Sequence, residues 1–373
     1  MTRMMKLGLL LFVTVFLMSM LHAKVNAAEE PITCKLQHGV PPGQTGLVKM
    51  TEVFGSFLEQ ESKGKIKVKY FAGDAIVPTV QVWDGVNSGA VDIATACTCY
   101  TIGKSFASAY FCNAPGSLSL WAKMLWYYEG GGYELAKKLL FKNYKNTVIF
   151  PGGWMMTEPW FYTKKEITGL ESLKGMKVRA SGVRAKVYSK IGMASMGMAQ
   201  GEIMPAMDRG VIDAFELATF WSDMALGTTD VSKYVYIADK YVEGGVSWVV
   251  VNKGWFDKLS PDLQKAVERA SLLSMHHNAS LIAYMEAKAL HDAEKTGKIK
   301  VRVLPDEIQI ALFKAAMEII SDAIKAGDKE VEELWKSQWS FYQEWRPIIK
   351  AAGHVGNWNY MEDLVPADLK SVK

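Results

Sequence analysis

The sequence predicts an α/β protein with two α/β domains and a ligand cleft between them. Its 373 residues allow two domains at roughly 150 residues each. Short alternations of apolar and polar residues, as in Ile66–Phe71 and residues 176–181, are typical of half-buried strands, and helically spaced apolar segments separate them. Charged residues stand at the predicted ends of two strands, which is where open α/β sheets bind their ligands.

The first domain is predicted to span residues 28–150. Strands and helices alternate in its first half, over residues 31–38, 45–62, 66–71, 77–88 and 91–96. This alternation predicts parallel strand pairing with right-handed crossovers. Pro151 and two glycines follow a further strand over residues 148–150, so the crossing into the second domain is expected there.

The second domain is predicted to span residues 151–238, and residues 239–259 are expected to return the chain to the first domain as hinge strands. A long helix over residues 260–297 follows. Ser260 provides its N-cap and Pro261 its first helical position. A single helix of this length would span both domains.

Two features of the C-terminal third leave alternatives open. The long helical segment could instead be two helices with a kink near His276. Further helices are predicted over residues 298–344. The tail over residues 345–373 is rich in aromatic residues, so we expect it to pack on its own chain or on a second subunit, which would make a homodimer.

The N-terminal segment has the features of a secretory signal peptide. Arg3 and Lys6 precede an apolar run over residues 7–21, and small residues lead up to Ala27. The run is too short for a stable membrane span. Cleavage near Ala27 would leave a periplasmic protein. It removes three basic residues and no acidic one, so the formal net charge falls from +4 to +1. No basic stripe remains that would indicate nucleic-acid binding.

All four cysteines, Cys34, Cys97, Cys99 and Cys112, lie in the first third of the exported chain. An oxidising compartment would permit one or two disulfides. Cys97 and Cys99 are two apart on a predicted strand and face the same side, so they do not pair easily with each other. The pattern favours buried thiols that act as small apolar side chains.

Three charged residues are candidate ligand-binding groups. Arg179 stands at the carboxyl end of a predicted strand and offers a planar set of donors to a carboxylate. Glu216 ends another predicted strand, over residues 211–216, and Glu158 lies among apolar neighbours. Each group alone more often forms an ordinary ion pair, but together they predict an anion site with room for a metal ion. Glu243, which precedes two glycines, is a further candidate.

The sequence carries none of the short signatures of common hydrolases and nucleotide-binding enzymes, such as G-x-S-x-G, H-E-x-x-H or a phosphate-binding loop. Carboxylates alone can perform acid–base catalysis, and Glu158 and Glu216 would be the pair. A binding protein is nevertheless the main expectation, and an enzyme is not expected.

The order of these features resembles the solute-binding proteins of tripartite ATP-independent periplasmic (TRAP) transporters over essentially the whole exported chain. The segments that carry the resemblance are GDAIVPTVQVWDGVNSGAVDIATA, SLKGMKVRASG, GEIMPAMDRGVIDAFE and WVVVNKGWFDKLSPDLQKAV. It implies a periplasmic-binding-protein-like fold and a membrane permease as partner. Within the family, AIVPTVQVWDGVNSGAVD followed by YTIGK is similar to the branch that binds 2-oxo and 2-hydroxy monocarboxylates such as pyruvate or lactate.

The resemblance also implies roles for single residues. Arg179 is expected to bind the substrate carboxylate, and Tyr100 to offer its hydroxyl. A metal ion, calcium or sodium, is expected to bridge to the substrate, held by Glu158, Glu216 and the carbonyl of Leu217, and two carboxylates favour calcium. The branch usually carries Trp in place of Leu217 and glutamine in place of Glu158, so the size of the substrate and the ligands of the cation are expected to differ here.

Two other functions remain open at this stage. A sugar or an aromatic acid could stack on the many tryptophans, or the chain could be a structural exported protein without a ligand. Binding of an organic acid that depends on Arg179 would separate the main hypothesis from both.

Overall fold

The computed structural model of the chain describes residues 30–155, 158–241, 244–351 and 361–372. Its strands are β1 (Ile32–Gly39), β2 (Ile66–Phe71), β3 (Ile93–Ala96), β4 (Thr147–Met155), β5 (Phe161–Thr163), β6 (Lys177–Arg179), β7 (Ala194–Met196), β8 (Ala214–Phe215), β9 (Tyr234–Ile237), β10 (Gly245–Asn252) and β11 (Lys300–Val303). Its α-helices are α1 (Thr45–Glu61), α2 (Val82–Ser88), α3 (Leu120–Tyr128), α4 (Gly132–Leu140), α5 (Gly182–Lys190), α6 (Gln200–Asp208), α7 (Phe220–Met224), α8 (Thr228–Val231), α9 (Lys253–Phe256), α10 (Pro261–Lys295), α11 (Asp306–Lys325), α12 (Lys329–Ala351) and α13 (Ala367–Lys370).

The strands form two sheets, which confirms the predicted α/β architecture with two units. The first sheet has the order β2-β1-β3-β10-β4. β1 pairs in parallel with both β2 and β3, as the alternation of elements predicts. β10 lies antiparallel between β3 and β4, so the chain does return to the first sheet after β5 to β9 of the second.

β4 differs from the prediction, because it continues through Pro151 instead of ending before it. An irregularity in the partner strand and two hydrogen bonds from α10 explain the difference. The partner strand β10 is irregular between Ser247 and Trp248, opposite the proline. The carbonyls of Pro151 and Gly152 accept hydrogen bonds from the hydroxyls of Ser271 and Ser274 on α10, at 2.6 and 2.9 Å. The predicted boundary at residue 150 therefore falls inside a strand, and the division of the chain into domains stays a prediction.

The second sheet has the order β11-β9-β5-β8-β6-β7. β6 and β8 are neighbours and run parallel, which brings Arg179 and Glu216 to the same edge. The sequence analysis missed β11, since it assigned residues 298–344 to helices alone. β11 pairs in parallel with β9 at the edge of this sheet.

α10 is one continuous helix of 35 residues, so the alternative of two helices is wrong. The hydroxyl of Ser260 accepts a hydrogen bond from the backbone amide of Leu263, as an N-cap does. Val267, in its N-terminal half, packs in the core of the first sheet with Leu36. Ala293, near its C-terminal end, packs in the core of the second sheet with Phe215. The helix therefore connects the two sheets through both cores.

The described part of the C-terminal tail packs on its own chain. Met361, Val365 and Leu369 are buried in the largest apolar cluster. The indole of Trp335 on α12 donates a hydrogen bond to the carbonyl of Leu369 at 2.8 Å. Within the residues that the structure describes, no helix is both long and apolar enough to cross a bilayer.

Candidate functional site

A cleft of about 430 Å³ lies between the two sheets, at the carboxyl ends of their strands. Gly39 at the end of β1 and Cys97 after β3 line it from the first sheet. Arg179 at the end of β6 and Glu216 after β8 line it from the second. A volume of this size suits a small molecule, and the position follows the general rule for ligand sites in open α/β sheets.

Two of the three nitrogens of the Arg179 guanidinium are already engaged. Nη1 donates to the carbonyl of Glu216 at 2.8 Å and lies 3.4 Å from its Oε1, and Nε donates to the carbonyl of Met198 at 3.4 Å. Among the described residues, Nη2 has no hydrogen-bond partner. The side chain is 13% exposed, so the strand end holds a mostly buried cation with one amine left for a ligand.

Glu216 is buried, with hydrogen-bond donors on Oε1 and an ion pair on Oε2. The backbone amide and the hydroxyl of Ser181 reach Oε1 at 3.0 and 3.2 Å. On the other side, Oε2 lies 3.6 Å from Nη1 of Arg184. Glu216 thus positions Arg179 through its backbone and holds Arg184 with its carboxylate.

Arg184 is a charged cleft residue that the sequence analysis missed. Its Nη2 lies 3.1 Å from Oε2 of Glu158, so its guanidinium lies between Glu158 and Glu216. The guanidinium is buried and also lies over the ring of Trp160, 5.1 Å from the centroid. The available signal was spacing, because α5 begins directly after Arg179 and its first turn lies at the same strand end.

Glu158 is also contacted from the side of the first sheet. The amide of Asn113 donates to its Oε2 at 2.7 Å. Burial raises the pKa of Glu158 above its usual value, with Glu216 adding to the rise and Arg184 opposing it. Two carboxylates and two guanidiniums therefore share the cleft, and their formal charges cancel when all four are ionised.

The other predicted site residues have mixed outcomes. Tyr100 lines the cleft, and burial raises the pKa of its phenol well above the usual value, so it remains a hydroxyl donor. Leu217 also lines the cleft and is half-buried. Glu243 lies outside the described residues. The structure brings Tyr100, Glu158, Arg179 and Leu217 together with Glu216 around one cavity, but their roles in binding stay predictions.

Tryptophans contribute little to this cavity. No tryptophan of the described ranges lines it, and Tyr100 is the one aromatic side chain that does. Trp83, Trp126 and Trp248 are instead fully buried in the apolar core. The arrangement therefore gives no support to a ligand stacked on tryptophan rings.

No group of three His, Cys, Asp or Glu side chains within the described ranges is arranged to hold a metal ion. A cation in the cleft would have two carboxylates, from Glu158 and Glu216, and backbone or ligand oxygens. These are hard oxygen donors of the type that calcium and sodium take. The donor set fits such an ion in kind, but Arg184 already pairs with both carboxylates.

Known proteins share both the sequence and the fold. Residues 36–326 match the family model described as bacterial extracellular solute-binding protein, family 7 (DctP). A monocarboxylate 2-oxoacid-binding periplasmic protein of Nostoc sp. is 29% identical over 321 residues, which cover 82% of this chain and 86% of that protein.

Two solved TRAP periplasmic solute-binding proteins share the fold. The structure from Colwellia psychrerythraea, with bound calcium and pyruvate, has a TM-score of 0.79 and 24% identity, and the match covers 90% of this chain and all of that chain. The structure from Pseudoalteromonas atlantica T6c, with bound sodium and pyruvate, has a TM-score of 0.78 and 23% identity, over 89% of this chain and 99% of that chain. With the family model matched over most of its length, this chain belongs to family 7 of the bacterial extracellular solute-binding proteins, the DctP family of TRAP solute receptors.

Proposed function

We propose that this chain is the receptor of a TRAP transporter for a small 2-oxo or 2-hydroxy monocarboxylate, such as pyruvate or lactate. The observation that carries the proposal is the guanidinium of Arg179 at the cleft, fixed by Glu216 on one side and with Nη2 left to donate. A carboxylate can accept charge-assisted hydrogen bonds from this remaining nitrogen. The similarity to the 2-oxoacid-binding protein of Nostoc sp. supports the same class of ligand.

The acid would bind with its carboxylate on Arg179 and with the hydroxyl of Tyr100 directed at one of its oxygens. These two residues come from opposite sides of the cleft, so an acid that contacts both favours a closed form over an open one. Domains over residues 28–150 and 151–238, joined by residues 239–259 as the hinge, would be the moving parts. A neutral analogue would leave the mostly buried guanidinium of Arg179 without the ligand carboxylate. Leaving a buried charge without its partner costs several kcal/mol, so neutral analogues are expected to bind poorly.

A cation, calcium or sodium, is the second part of the proposal, and bound calcium and sodium in the two solved structures support it. Glu158, Glu216 and the carbonyl of Leu217 would hold it. When bound, it would supply positive charge to the 2-oxygen of the acid. Arg184 must give up at least one of its ion pairs for this, since it pairs with both carboxylates.

The proposal also includes the location of the protein and its partners. The receptor would be exported with cleavage near Ala27 and would deliver its acid, unchanged and without catalysis, to the membrane permease. Neither a nucleic acid nor a chemical step is needed for this function. A homodimer through residues 345–373 is a further proposal, although the described part of this segment packs on its own chain.

A thermal-shift panel tests the proposed function. Pyruvate, lactate and longer 2-oxo acids would be compared with the neutral amide of pyruvate and with glucose, each with and without a chelator. A ligand at 100 times its Kd should add about 2.7 kcal/mol to the free energy of unfolding. Stabilisation by acids alone supports the proposal, while stabilisation by glucose or by none of the acids contradicts it. Loss of the acid effect in chelator would support calcium as the cation.

A further inference from the structure

Two sulfur atoms at the wall of the cleft lie unusually close together. The Sγ atoms of Cys97 and Cys112 are 2.7 Å apart, and both residues are present as free thiols. A disulfide bond is about 2.05 Å long, whereas nonbonded heavy atoms in a packed interior approach to about 3.5 Å. Cys97 lines the cleft, and Cys112 is fully buried.

Buried side chains hold the backbone of both cysteines in place. The indole of Trp83 donates a hydrogen bond to the carbonyl of Cys97 at 2.9 Å. The ammonium group of Lys123, itself buried, donates to the carbonyl of Cys112. The hydroxyl of Tyr127 donates a hydrogen bond to the carbonyl of Phe111, the residue before Cys112, at 2.7 Å. These contacts hold the backbone at and next to both cysteines, so each thiol is attached at a defined position in the fold.

We propose that Cys97 and Cys112 form a disulfide in the exported protein, while Cys34 and Cys99 stay reduced. The two thiols each lose a proton and an electron as the S–S bond forms. A protein disulfide of the extracytoplasmic space accepts the two electrons and two protons and becomes a dithiol. The inference rests on the export that is part of the proposed function.

The other two cysteines are poorer partners. Cys34 lies in β1 and is buried in the separate apolar cluster that contains Leu36. Cys99 is near Cys97, and its backbone amide donates to the Sγ of Cys97 at 3.0 Å. A bond between residues only two apart in the chain would need a strained geometry. Cys112 therefore provides the partner sulfur.

The disulfide would secure one wall of the binding cleft. It would close the loop over residues 97–112, which carries Tyr100, and it would fix the residue next to Asn113, the donor to Glu158. Closing a loop of about 15 residues restricts the unfolded chain and stabilises the folded one. The bond would thus hold binding residues of the first sheet at the end of β3.

Peptide mapping tests the inference without any variant. The full-length chain is expressed in a bacterial host, recovered from the periplasm without reductant, alkylated in denaturant and analysed by mass spectrometry. The expected result is one cross-linked pair that holds Cys97 and Cys112, with Cys34 and Cys99 alkylated. Four alkylated cysteines, or a bond between Cys97 and Cys99, would overturn the inference.

Variants provide a second measurement. C97S and C112S should each lower the melting temperature by roughly 5 °C, and the double variant should lower it no further, because either change removes the same bond. C99S is the matched control and should have the melting temperature of the wild type.

If the chain stays in the cytoplasm, export itself is contradicted. The purified chain with oxidised glutathione then tests the pairing alone, and failure to form the Cys97–Cys112 bond overturns it.

Discussion

Replacing Arg184 with glutamine should increase the affinity of the cleft for calcium. In the present arrangement, the guanidinium lies 3.1 Å from Glu158 and 3.6 Å from Glu216, so its charge occupies the region that a cation would use. At an effective dielectric constant of about 20, two unit charges about 4 Å apart interact by about 4 kcal/mol. Removing this repulsion and freeing two carboxylates should tighten calcium binding at least tenfold, which corresponds to about 1.4 kcal/mol.

The assay is isothermal titration of calcium into the acid-free protein, so acid binding does not enter the result. R184Q should also lower the thermal stability without calcium, because breaking a buried ion pair costs about 3–5 kcal/mol. Calcium should restore part of that loss. R269Q is the matched control, since Arg269 pairs with Glu61 on the surface and is 48% exposed. An affinity for calcium that is unchanged or weaker in R184Q would refute the reasoning.

The remaining predictions concern pH and one close backbone contact. Burial raises the pKa of Glu286 to about 7 from 4.5, so between these values the folded chain binds a proton that the unfolded chain has lost. The contribution of Glu286 to the free energy of unfolding should therefore fall by on the order of 3 kcal/mol as pH rises through this range. E286Q should flatten the dependence of the melting temperature on pH. The same dependence in E286Q and wild type would contradict this. Burial also raises the pKa of Glu158 above 4.5. Its protonation leaves a cation-free cleft with net positive charge, so without a bound cation pyruvate should bind more tightly as pH falls toward this raised pKa. Titrations of E158Q should lose this trend, and a trend that persists would count against Glu158. A Cβ on Gly39 would lie 2.1 Å from the carbonyl oxygen of Thr95, so G39A should cost about 3 kcal/mol in urea unfolding. A Cβ on Gly103 would meet no atom within 4 Å, so G103A should cost less than about 0.5 kcal/mol. Equal losses of stability in G39A and G103A would contradict the close approach of Gly39 to Thr95.

Much of the fold follows from local pattern. The strands β1 and β2 and the helix α1 begin and end close to their predicted bounds, because each has a clear apolar period and a glycine or lysine–glycine end. The long helix α10 was predicted from its N-cap and its length. β11 was missed, since Lys300–Val303 has four residues and alternates charged with apolar side chains at the edge of a sheet. The continuation of β4 depends on distant serines, which no local pattern records.

In the candidate site, too, some residues could be predicted from local sequence and others could not. Arg179 and Glu216 were predicted because each stands at a strand end. Arg184 was missed because an arginine in the first turn of a helix normally faces water, and its burial depends on Glu158, which is 26 positions away in sequence. The approach of Cys97 to Cys112 was not predicted either, because strand alternation relates Cys97 only to nearby residues such as Cys99. Pairings across long separations are set by tertiary packing.

The central claim is that Arg179 binds the carboxylate of a small organic acid, and isothermal titration of pyruvate into wild type and R179Q tests it most directly. R209Q, which replaces an exposed arginine, is the control for the loss of one charge. Truncating one partner of a buried charge pair costs about 2–5 kcal/mol, so R179Q should bind pyruvate at least about thirtyfold more weakly while R209Q binds like wild type. Pyruvate affinity in folded R179Q within threefold of the wild-type value would contradict the account.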